Sequence, residues 1–214
     1  MIVFNIILSY LIGSIPSAYI FGKMYKNIDI RQHGSGNIGA TNVFRVLGKG
    51  PGSIVLLLDI FKGVFVVALI PDILGIPQVI MRIIAAIFVV IGHNWTCFLQ
   101  FKGGKGVATS LGVLIGLTIK VSTIRPVLGL TLLTWITIFL ITRFVSFSSI
   151  IAAISLPIYM LLTDQPFQIE LLGVAFCVFV VIRHKANIKR LLAKEEPRVP
   201  LHFRRKRGQN PSKS

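Results

Sequence analysis

The chain has 214 residues, of which 54% are hydrophobic, and its mean hydropathy is +0.80. It carries 23 Lys and Arg residues against 7 Asp and Glu, for a formal net charge of +16. A soluble domain with so much apolar surface would aggregate, so the composition excludes an ordinary soluble enzyme and predicts an all-α, polytopic integral membrane protein.

Seven apolar segments follow one another along the chain, separated by turn signals rich in Pro, Gly and Asp. A helix needs about 20 residues to cross a bilayer, and some of these segments are shorter than that. We therefore expect about seven transmembrane helices, at residues 2–22, 53–71, 79–101, 106–119, 124–142, 147–163 and 168–183.

The basic residues predict the direction in which the helices run. The first apolar segment is not preceded by the basic region of a signal peptide, and Lys23 and Lys26 come after it. If the N-terminus is outside, 19 of the 23 Lys and Arg residues fall on the inward side. Because cytoplasmic loops are enriched in Lys and Arg, we expect an outside N-terminus and a cytoplasmic C-terminus.

The end of the chain is polar, basic and interrupted by prolines. We expect residues 1–190 to form the membrane-embedded domain and residues 191–214 to form a basic cytoplasmic tail. Aromatic residues are not interleaved with the basic ones as base stacking requires, so anionic lipid is the favoured partner and no nucleic acid is expected.

The first inward loop contains the sequence HGSGNIGATNVFR at residues 33–45. Gly34, Gly36 and Gly39 match the spacing of a dinucleotide-binding turn, but no buried strand precedes them, and a Walker loop would need Lys after its last Gly. The physical property that those motifs share still applies, since a Gly-rich turn before a helix can direct backbone N–H groups at an anion.

A short helix is expected after this turn, from about residue 40 to residue 47. On it Asn37, Thr41 and Arg45 are spaced by four residues, and Asn42 lies three residues before Arg45, so the four form one polar stripe. The stripe and the turn together predict an anion site at the membrane interface. The alternative is an amphipathic interfacial helix whose Arg side chain reaches towards water.

Asp59 and Lys62 lie three residues apart inside the second apolar segment, where they are expected to pair. Ionisable residues in the membrane are functional candidates by default, although a purely structural tie is an equal alternative. The sequence His93-Asn94-Trp95 follows near the inward end of the third segment, where Trp95 can mark the interface.

The second inward loop, FKGGKGVAT, places Lys102 and Lys105 around Gly103 and Gly104 at the start of the next helix. Cations, open N–H groups and a helix N-terminus again coincide, which favours anion binding. The five glycines expected to form the backbone phosphate cradle are Gly34, Gly36, Gly39, Gly103 and Gly104.

Two further inward segments add polar side chains. TRFVSFSS supplies Arg143 and Ser146 near a helix start, where helix capping is the better interpretation of the serines. RHKANIKR supplies His184 and Asn187, three residues apart. These segments extend the predicted polar site to four inward loops.

The sequence lacks the motifs that several other kinds of catalysis require. The sequence has no G-x-S-x-G elbow, no H-E-x-x-H motif and no acidic cluster for a divalent metal, so neither a metal nor a cofactor is expected. The remaining interpretation is an inward pocket, at the level of the lipid, that binds a phosphorylated small molecule beside an acyl chain.

These motifs together resemble those of the bacterial acyl-phosphate:glycerol-3-phosphate acyltransferases. The resemblance rests on GSIPSAYIFGK, GSGNIGATNVFR followed by LGK, DxxKG, GHNW, FKGGKGVAT, TRFVSFSS and RHKANIKR, in this order between residues 13 and 190. It covers almost the whole chain, and motifs this long in this order are highly specific.

The resemblance implies a seven-helix protein of the bacterial inner membrane, with its active site on the cytoplasmic side. It implies transfer of an acyl group from acyl phosphate to the 1-hydroxyl of glycerol 3-phosphate, which yields lysophosphatidic acid and inorganic phosphate for phospholipid synthesis. A transporter of small organic phosphates is the alternative from another class.

The resemblance also implies roles for individual residues. Those expected to hold phosphate groups are Ser35, Asn37, Thr41, Asn42, Arg45, Lys105 and Ser146. His184 and Asn187 are expected to orient the glycerol hydroxyls, and together with Lys105 they form the expected catalytic set. His184 is one candidate proton acceptor and a substrate phosphate oxygen is the other.

Overall fold

The computed structural model describes residues 1–199, and that part of the chain is helical without any strand. This confirms the predicted all-α fold. The helices are α1 (Ile2–Ser14), α2 (Ser17–Lys26), α3 (Ala40–Val46), α4 (Lys49–Ile73), α5 (Val79–Asn94), α6 (Val107–Lys120), α7 (Arg125–Thr142), α8 (Val145–Leu162), α9 (Phe167–Arg183) and α10 (Lys185–Leu192).

Five stretches of the described chain are long and apolar enough to span a membrane. They are Ile2–Lys26, Lys49–Ile73, Val79–Leu99, Ser122–Thr142 and Val145–Leu162, and the pair of α9 and α10, bent by 60°, brings the number to six. The fourth predicted segment, residues 106–119, corresponds to α6, whose 14 residues are about 21 Å long and short for a bilayer. The multi-pass prediction is confirmed, while the count of seven and the orientation stay predictions.

The first predicted span is broken into α1 and α2. Pro16 cannot donate a helical N–H bond, and the helix stops at Ser14. Side chains from α4 and from the segment after α5 bind the carbonyl oxygens at the break: Lys62 Nζ donates to Ile15 O at 3.3 Å and Thr96 Oγ1 donates to Ser14 O at 2.6 Å. The break is therefore part of the helix packing.

Glycines bring two pairs of helices into close contact. A Cβ on Gly13 of α1 would lie 2.1 Å from Val89 O of α5, and a Cβ on Gly112 of α6 would lie 2.0 Å from Ile60 O of α4. Inside a membrane, small residues let helix backbones approach closely, and dispersion contacts replace the hydrophobic effect as the main attraction. These contacts hold α1 against α5 and α4 against α6.

A buried arginine compensates for a proline at the C-terminal end of α4. Pro71 lies inside the helix and has no N–H for the carbonyl of Val67. Arg82 of α5 donates to Val67 O at 2.9 Å and to Ala68 O at 3.1 Å, and it also pairs with Asp72. This cluster closes the end of the bundle opposite to the candidate site.

Candidate active site

Three of the predicted basic segments meet around one cavity of about 740 Å³. We call this the basic end of the bundle. The cavity is lined by the loop after α2, by the loop between α5 and α6, and by the junction of α9 and α10. Its ionisable lining residues are one carboxylate, Asp29, and five cations, Arg31, Lys102, Lys105, Arg183 and Arg190. Such a surplus of positive charge suits a phosphorylated ligand.

The Gly-rich turn needs glycine for its conformation. Gly34 and Gly36 have φ angles of 62° and 70°, in the left-handed region that favours glycine. Asn42 holds the turn in place: its Oδ1 accepts from the N–H of Ser35 at 2.8 Å, and its Nδ2 donates to His33 O at 2.9 Å. The turn is therefore fixed before any ligand binds.

The predicted polar stripe is only partly realised. The helix expected at residues 40–47 is α3, and Thr41 and Arg45 are exposed on it. Asn42 is buried instead, at 1% exposed, and uses its amide for the backbone, while Asn37 precedes the helix. Asn42 is thus a support of the turn in this structure, because its hydrogen-bonding groups are already engaged.

The loop between α5 and α6 makes a tight turn at residues 103–104, which we call the glycine turn. Arg183 donates from Nε to Gly104 O at 2.9 Å and from Nη2 to Gly103 O at 2.7 Å. The N–H of Gly104 donates to His93 O at 2.9 Å. The glycines therefore allow close packing and bond to protein groups on both sides.

Two of the five proposed cradle glycines do not offer a free N–H. The N–H of Gly36 donates to His33 O at 3.1 Å, and that of Gly104 is bound to His93. Turn formation already uses both N–H groups in this structure, and their expected role in a phosphate cradle stays a prediction.

Lys105 follows the glycine turn and reaches across the cavity. Its Nζ donates to Asn187 Oδ1 at 2.5 Å. Burial lowers the pKa of Lys105 to about 8; Glu196 opposes this change, and the positive charges of Arg190, Arg183 and Arg45 add to it. Because burial already disfavours the positive charge on Lys105, an anion bound here would stabilise that charge.

A carboxylate from beyond α10 occupies the far side of the site. Glu196 Oε1 accepts from Ser146 Oγ and from Asn187 Nδ2, each at 2.6 Å, and its Oε2 accepts from Arg190 Nε at 2.7 Å. Burial opposes ionisation, but these hydrogen bonds outweigh it, so the pKa of Glu196 is lowered. Sequence reasoning missed this residue, and the only signal was an acidic pair in an otherwise basic segment.

Residues 196–199 also contact the start of α8. The N–H of Val199 donates to Arg143 O at 2.9 Å, and the Arg198 guanidinium lies 5.0 Å from the centre of the Phe144 ring. The boundary at residue 190 stays a prediction, and residues 200–214 of the predicted tail lie outside the described residues.

His184 is 2% exposed and lies at the junction of α9 and α10. Its Nδ1 is 2.7 Å from Val180 O, and because a carbonyl only accepts, Nδ1 carries the proton. In the neutral ring Nε2 is then the acceptor. This tautomer fits a residue that orients a hydroxyl group or accepts its proton.

The predicted site residues fall into two groups. Six of them line the cavity: Ser35, Gly36, Asn37, Gly103, Lys105 and Asn187. The others lie outside its lining: Gly34, Gly39, Thr41, Asn42, Arg45, Gly104, Ser146 and His184. Ser146 still joins the cluster through Glu196, and Arg45 is close enough to influence the pKa of Lys105. Within residues 1–199, no three His, Cys, Asp or Glu side chains are grouped to hold a metal ion.

The chain is similar to known proteins along almost its whole length. The model of the family described as glycerol-3-phosphate acyltransferase matches residues 3–194. A glycerol-3-phosphate acyltransferase of Synechococcus sp. (strain JA-2-3B'a(2-13)) is 47% identical over 190 residues, which cover 89% of this chain and 90% of that protein. One of Bacillus subtilis (strain 168) is 46% identical over 195 residues, covering 91% and 95% respectively.

Two solved structures have the same fold. Both are of PlsY (YgiH), an integral membrane glycerol 3-phosphate acyltransferase, and both are 36% identical to this chain and cover 93% of it. The match to the glycerol 3-phosphate form has a TM-score of 0.83 and covers 96% of that chain. The match to the lysophosphatidic acid form has a TM-score of 0.80 and covers 95% of that chain.

Proposed function

This chain belongs to the glycerol-3-phosphate acyltransferase family, and we propose that it transfers an acyl group from acyl phosphate to the 1-hydroxyl of sn-glycerol 3-phosphate. The products are lysophosphatidic acid and inorganic phosphate, for use in phospholipid synthesis. The single observation that carries this proposal is the cavity at the basic end, with five cations and one carboxylate around it.

Both substrates of this reaction are phosphorylated, and one carries an acyl chain. The cavity supplies Lys105 and the hydroxyl and amide groups of Ser35 and Asn37 to phosphate oxygens. The helices beside it are apolar over membrane-spanning lengths, so an acyl chain can remain in lipid while its head group enters the cavity. This combination supports an acyl donor that carries its own phosphate.

In the proposed step, the 1-hydroxyl oxygen of glycerol 3-phosphate attacks the carbonyl carbon of acyl phosphate. A carbon–oxygen ester bond forms, the bond from the carbonyl carbon to the phosphate oxygen breaks, and phosphate leaves. The hydroxyl proton goes to an oxygen of the leaving phosphate. Because acyl phosphate is a mixed anhydride with a good leaving group, positioning and charge stabilisation can supply most of the catalysis.

We assign roles to the residues around this step. Lys105 binds phosphate and offsets its charge, Asn187 fixes Lys105 Nζ, and His184 Nε2 accepts a hydrogen bond from a glycerol hydroxyl. Ser35 and Asn37 contact phosphate from the Gly-rich turn, with the exposed Thr41 and Arg45 above it. Asn42 and Ser146 act indirectly, because the turn and Glu196 respectively engage their side chains.

We place the protein in the bacterial inner membrane with this cavity facing the cytoplasm. The support is that the cavity lies at the end of the bundle where the basic loops gather, and that both named relatives come from bacteria. The transporter alternative loses its support, since the family assignment is to acyltransferases and no separate observation favours transport.

The test is a comparison of acyl donors with the same purified protein reconstituted in lipid. Labelled glycerol 3-phosphate is supplied with acyl phosphate, with acyl-CoA or with acyl-loaded carrier protein, and labelled lysophosphatidic acid is measured. We expect product only with acyl phosphate. Product from acyl-CoA at an equal rate would contradict the proposed donor while leaving the acyltransferase assignment intact.

A further inference from the structure

A buried polar cluster lies between the broken first span and the candidate site. Lys62 Nζ is 2.9 Å from Asp59 Oδ1 and 2.8 Å from His93 Nδ1, and it donates to Ile15 O at 3.3 Å. Ser17 Oγ donates to the same carboxylate oxygen at 3.2 Å. Asp59, Lys62 and His93 are 2%, 6% and 7% exposed, so the cluster is shielded from water.

The contacts of Lys62 determine the orientation of the His93 ring. An ammonium group has three donors and no acceptor, and Lys62 has three acceptors around it: the Asp59 carboxylate, Ile15 O and His93 Nδ1. His93 Nδ1 must therefore accept, and in the neutral ring Nε2 carries the proton. Lys62 thus sets both the tautomer and the orientation of His93.

The other edge of the His93 ring packs against the glycine turn. A Cβ on Gly104 would lie 2.2 Å from His93 Nε2, and one on Gly103 would lie 2.2 Å from His93 O. The N–H of Gly104 also donates to His93 O at 2.9 Å. The ring and backbone of His93 therefore form one wall of the turn, with no space between them.

Arg183 holds the turn from the opposite side. Its guanidinium binds the carbonyls of Gly103 and Gly104 and lies 5.6 Å from the centre of the Trp95 ring. Lys105, the next residue along the chain, projects from this clamped turn to Asn187. A shift of the His93 ring would therefore be transmitted through Gly104 to Lys105.

We propose that Lys62 and His93 are positioning residues for acyl transfer: the buried ion pair between Asp59 and Lys62 fixes the His93 ring, and the ring fixes the glycine turn that carries Lys105. The inference rests on the function proposed above and extends the site to residues that lie outside the lining of the basic cavity.

Stability alone is a weak reason to keep this ion pair. Desolvation offsets much of the attraction between buried charges, and well-packed apolar residues of similar volume often stabilise a protein equally well. The same helix, α4, carries a second pair with α5, between Asp72 and Arg82, at the far end of the bundle. That pair provides a matched control, because it has no contact with the glycine turn.

The test compares two double variants, Asp59→Asn with Lys62→Met and Asp72→Asn with Arg82→Met. Each removes both charges, so no unpaired buried charge remains. The KM for glycerol 3-phosphate, the kcat per monodisperse protein and the melting temperature are measured for both. We expect kcat/KM of the first variant to fall about 100-fold with a raised KM, since small misplacements of catalytic groups have effects of this size. We expect the KM of the second to match wild type.

A second comparison covers the case in which the first double variant does not fold. His93→Asn keeps a side-chain acceptor close to the position of Nδ1, and His93→Leu removes it. We expect His93→Asn to retain a lower KM than His93→Leu at similar melting temperatures. A structural role alone would change the amount of folded protein and would not separate their KM values.

Three results would overturn the proposal. They are an unchanged KM in the Asp59→Asn, Lys62→Met variant, an equal rise of KM in both double variants, and equal KM values for His93→Asn and His93→Leu. The wild-type protein in the same assay separates these results from a failure of the proposed function, because in that case wild type itself would make no lysophosphatidic acid from acyl phosphate.

Discussion

At the scale of single residues, Lys105 is the side chain on which the proposed chemistry depends most directly. Burial lowers its pKa to about 8, so the free protein loses this positive charge as pH rises through 8. We expect kcat/KM for glycerol 3-phosphate to fall above about pH 8. An initial-rate profile from pH 6 to pH 10 at low substrate concentration measures this decline.

The Lys105→Arg variant is the control for the pH profile. A guanidinium stays charged throughout this range, although it cannot reproduce the geometry of an ammonium group. We expect a lower rate without the decline above pH 8. If Lys105→Arg shows the same alkaline decline as wild type, another group causes it and the role assigned to Lys105 is wrong.

Asn42 and Glu196 show what the sequence could and could not reveal about individual side chains. The spacing that placed Asn42 beside Arg45 was correct for a helix, but spacing alone does not tell a surface amide from one that folds back onto its own turn. Glu196 is separated by 50 residues from Ser146, which it contacts. Such a contact depends on tertiary packing, which no local pattern encodes.

At the scale of elements, the helices could be predicted well from apolar segments and turn signals. The helix at Ala40–Val46 agrees with the expected 40–47, and each of the seven apolar segments contains a helix. The break at Pro16 was not predicted, because the apolar pattern continues through it. The carbonyl groups that it frees accept hydrogen bonds from Lys62 and Thr96, which are distant in sequence, so no local pattern shows these contacts.

The pair of Pro71 and Arg82 leads to a prediction about stability. Arg82→Met leaves the carbonyl of Val67 without its donor, and we expect a loss of about 1–3 kcal/mol in the free energy of unfolding. In a Pro71→Ala background the new N–H can bind Val67 O, so the loss should be smaller. A double-mutant cycle of thermal or denaturant unfolding in detergent measures the coupling. Strictly additive effects would contradict this explanation of Arg82.

At the scale of the whole molecule, the distribution of charge predicts the orientation in the membrane. With Cys97 and Cys177 replaced by Ala, single cysteines can be placed at the exposed Ile2 and at Lys194. If the basic end faces the cytoplasm as proposed, we expect an impermeant thiol reagent to label intact cells at residue 2 only, and residue 194 only after permeabilisation. The reversed labelling pattern would contradict the proposed orientation.

The helical fold brings the three basic segments of the cavity together at one end, although more than 140 residues separate Arg31 from Arg183. The sequence motifs indicated that these segments belong to one site, and the family assignment agrees with the chemistry inferred from them. The contacts between the segments, such as Lys105 with Asn187 and Arg183 with the glycine turn, required the structure.

The central claim is that this cavity is where acyl transfer takes place, and one measurement tests it most directly. Lysophosphatidic acid formation from acyl phosphate and labelled glycerol 3-phosphate is compared for Lys105→Ala, Asn187→Ala and Lys120→Ala, the last at the opposite end of the bundle. We predict that the first two lose activity by about 100-fold or more while remaining folded, and that Lys120→Ala stays close to wild type. Wild-type activity in both Lys105→Ala and Asn187→Ala would contradict the account.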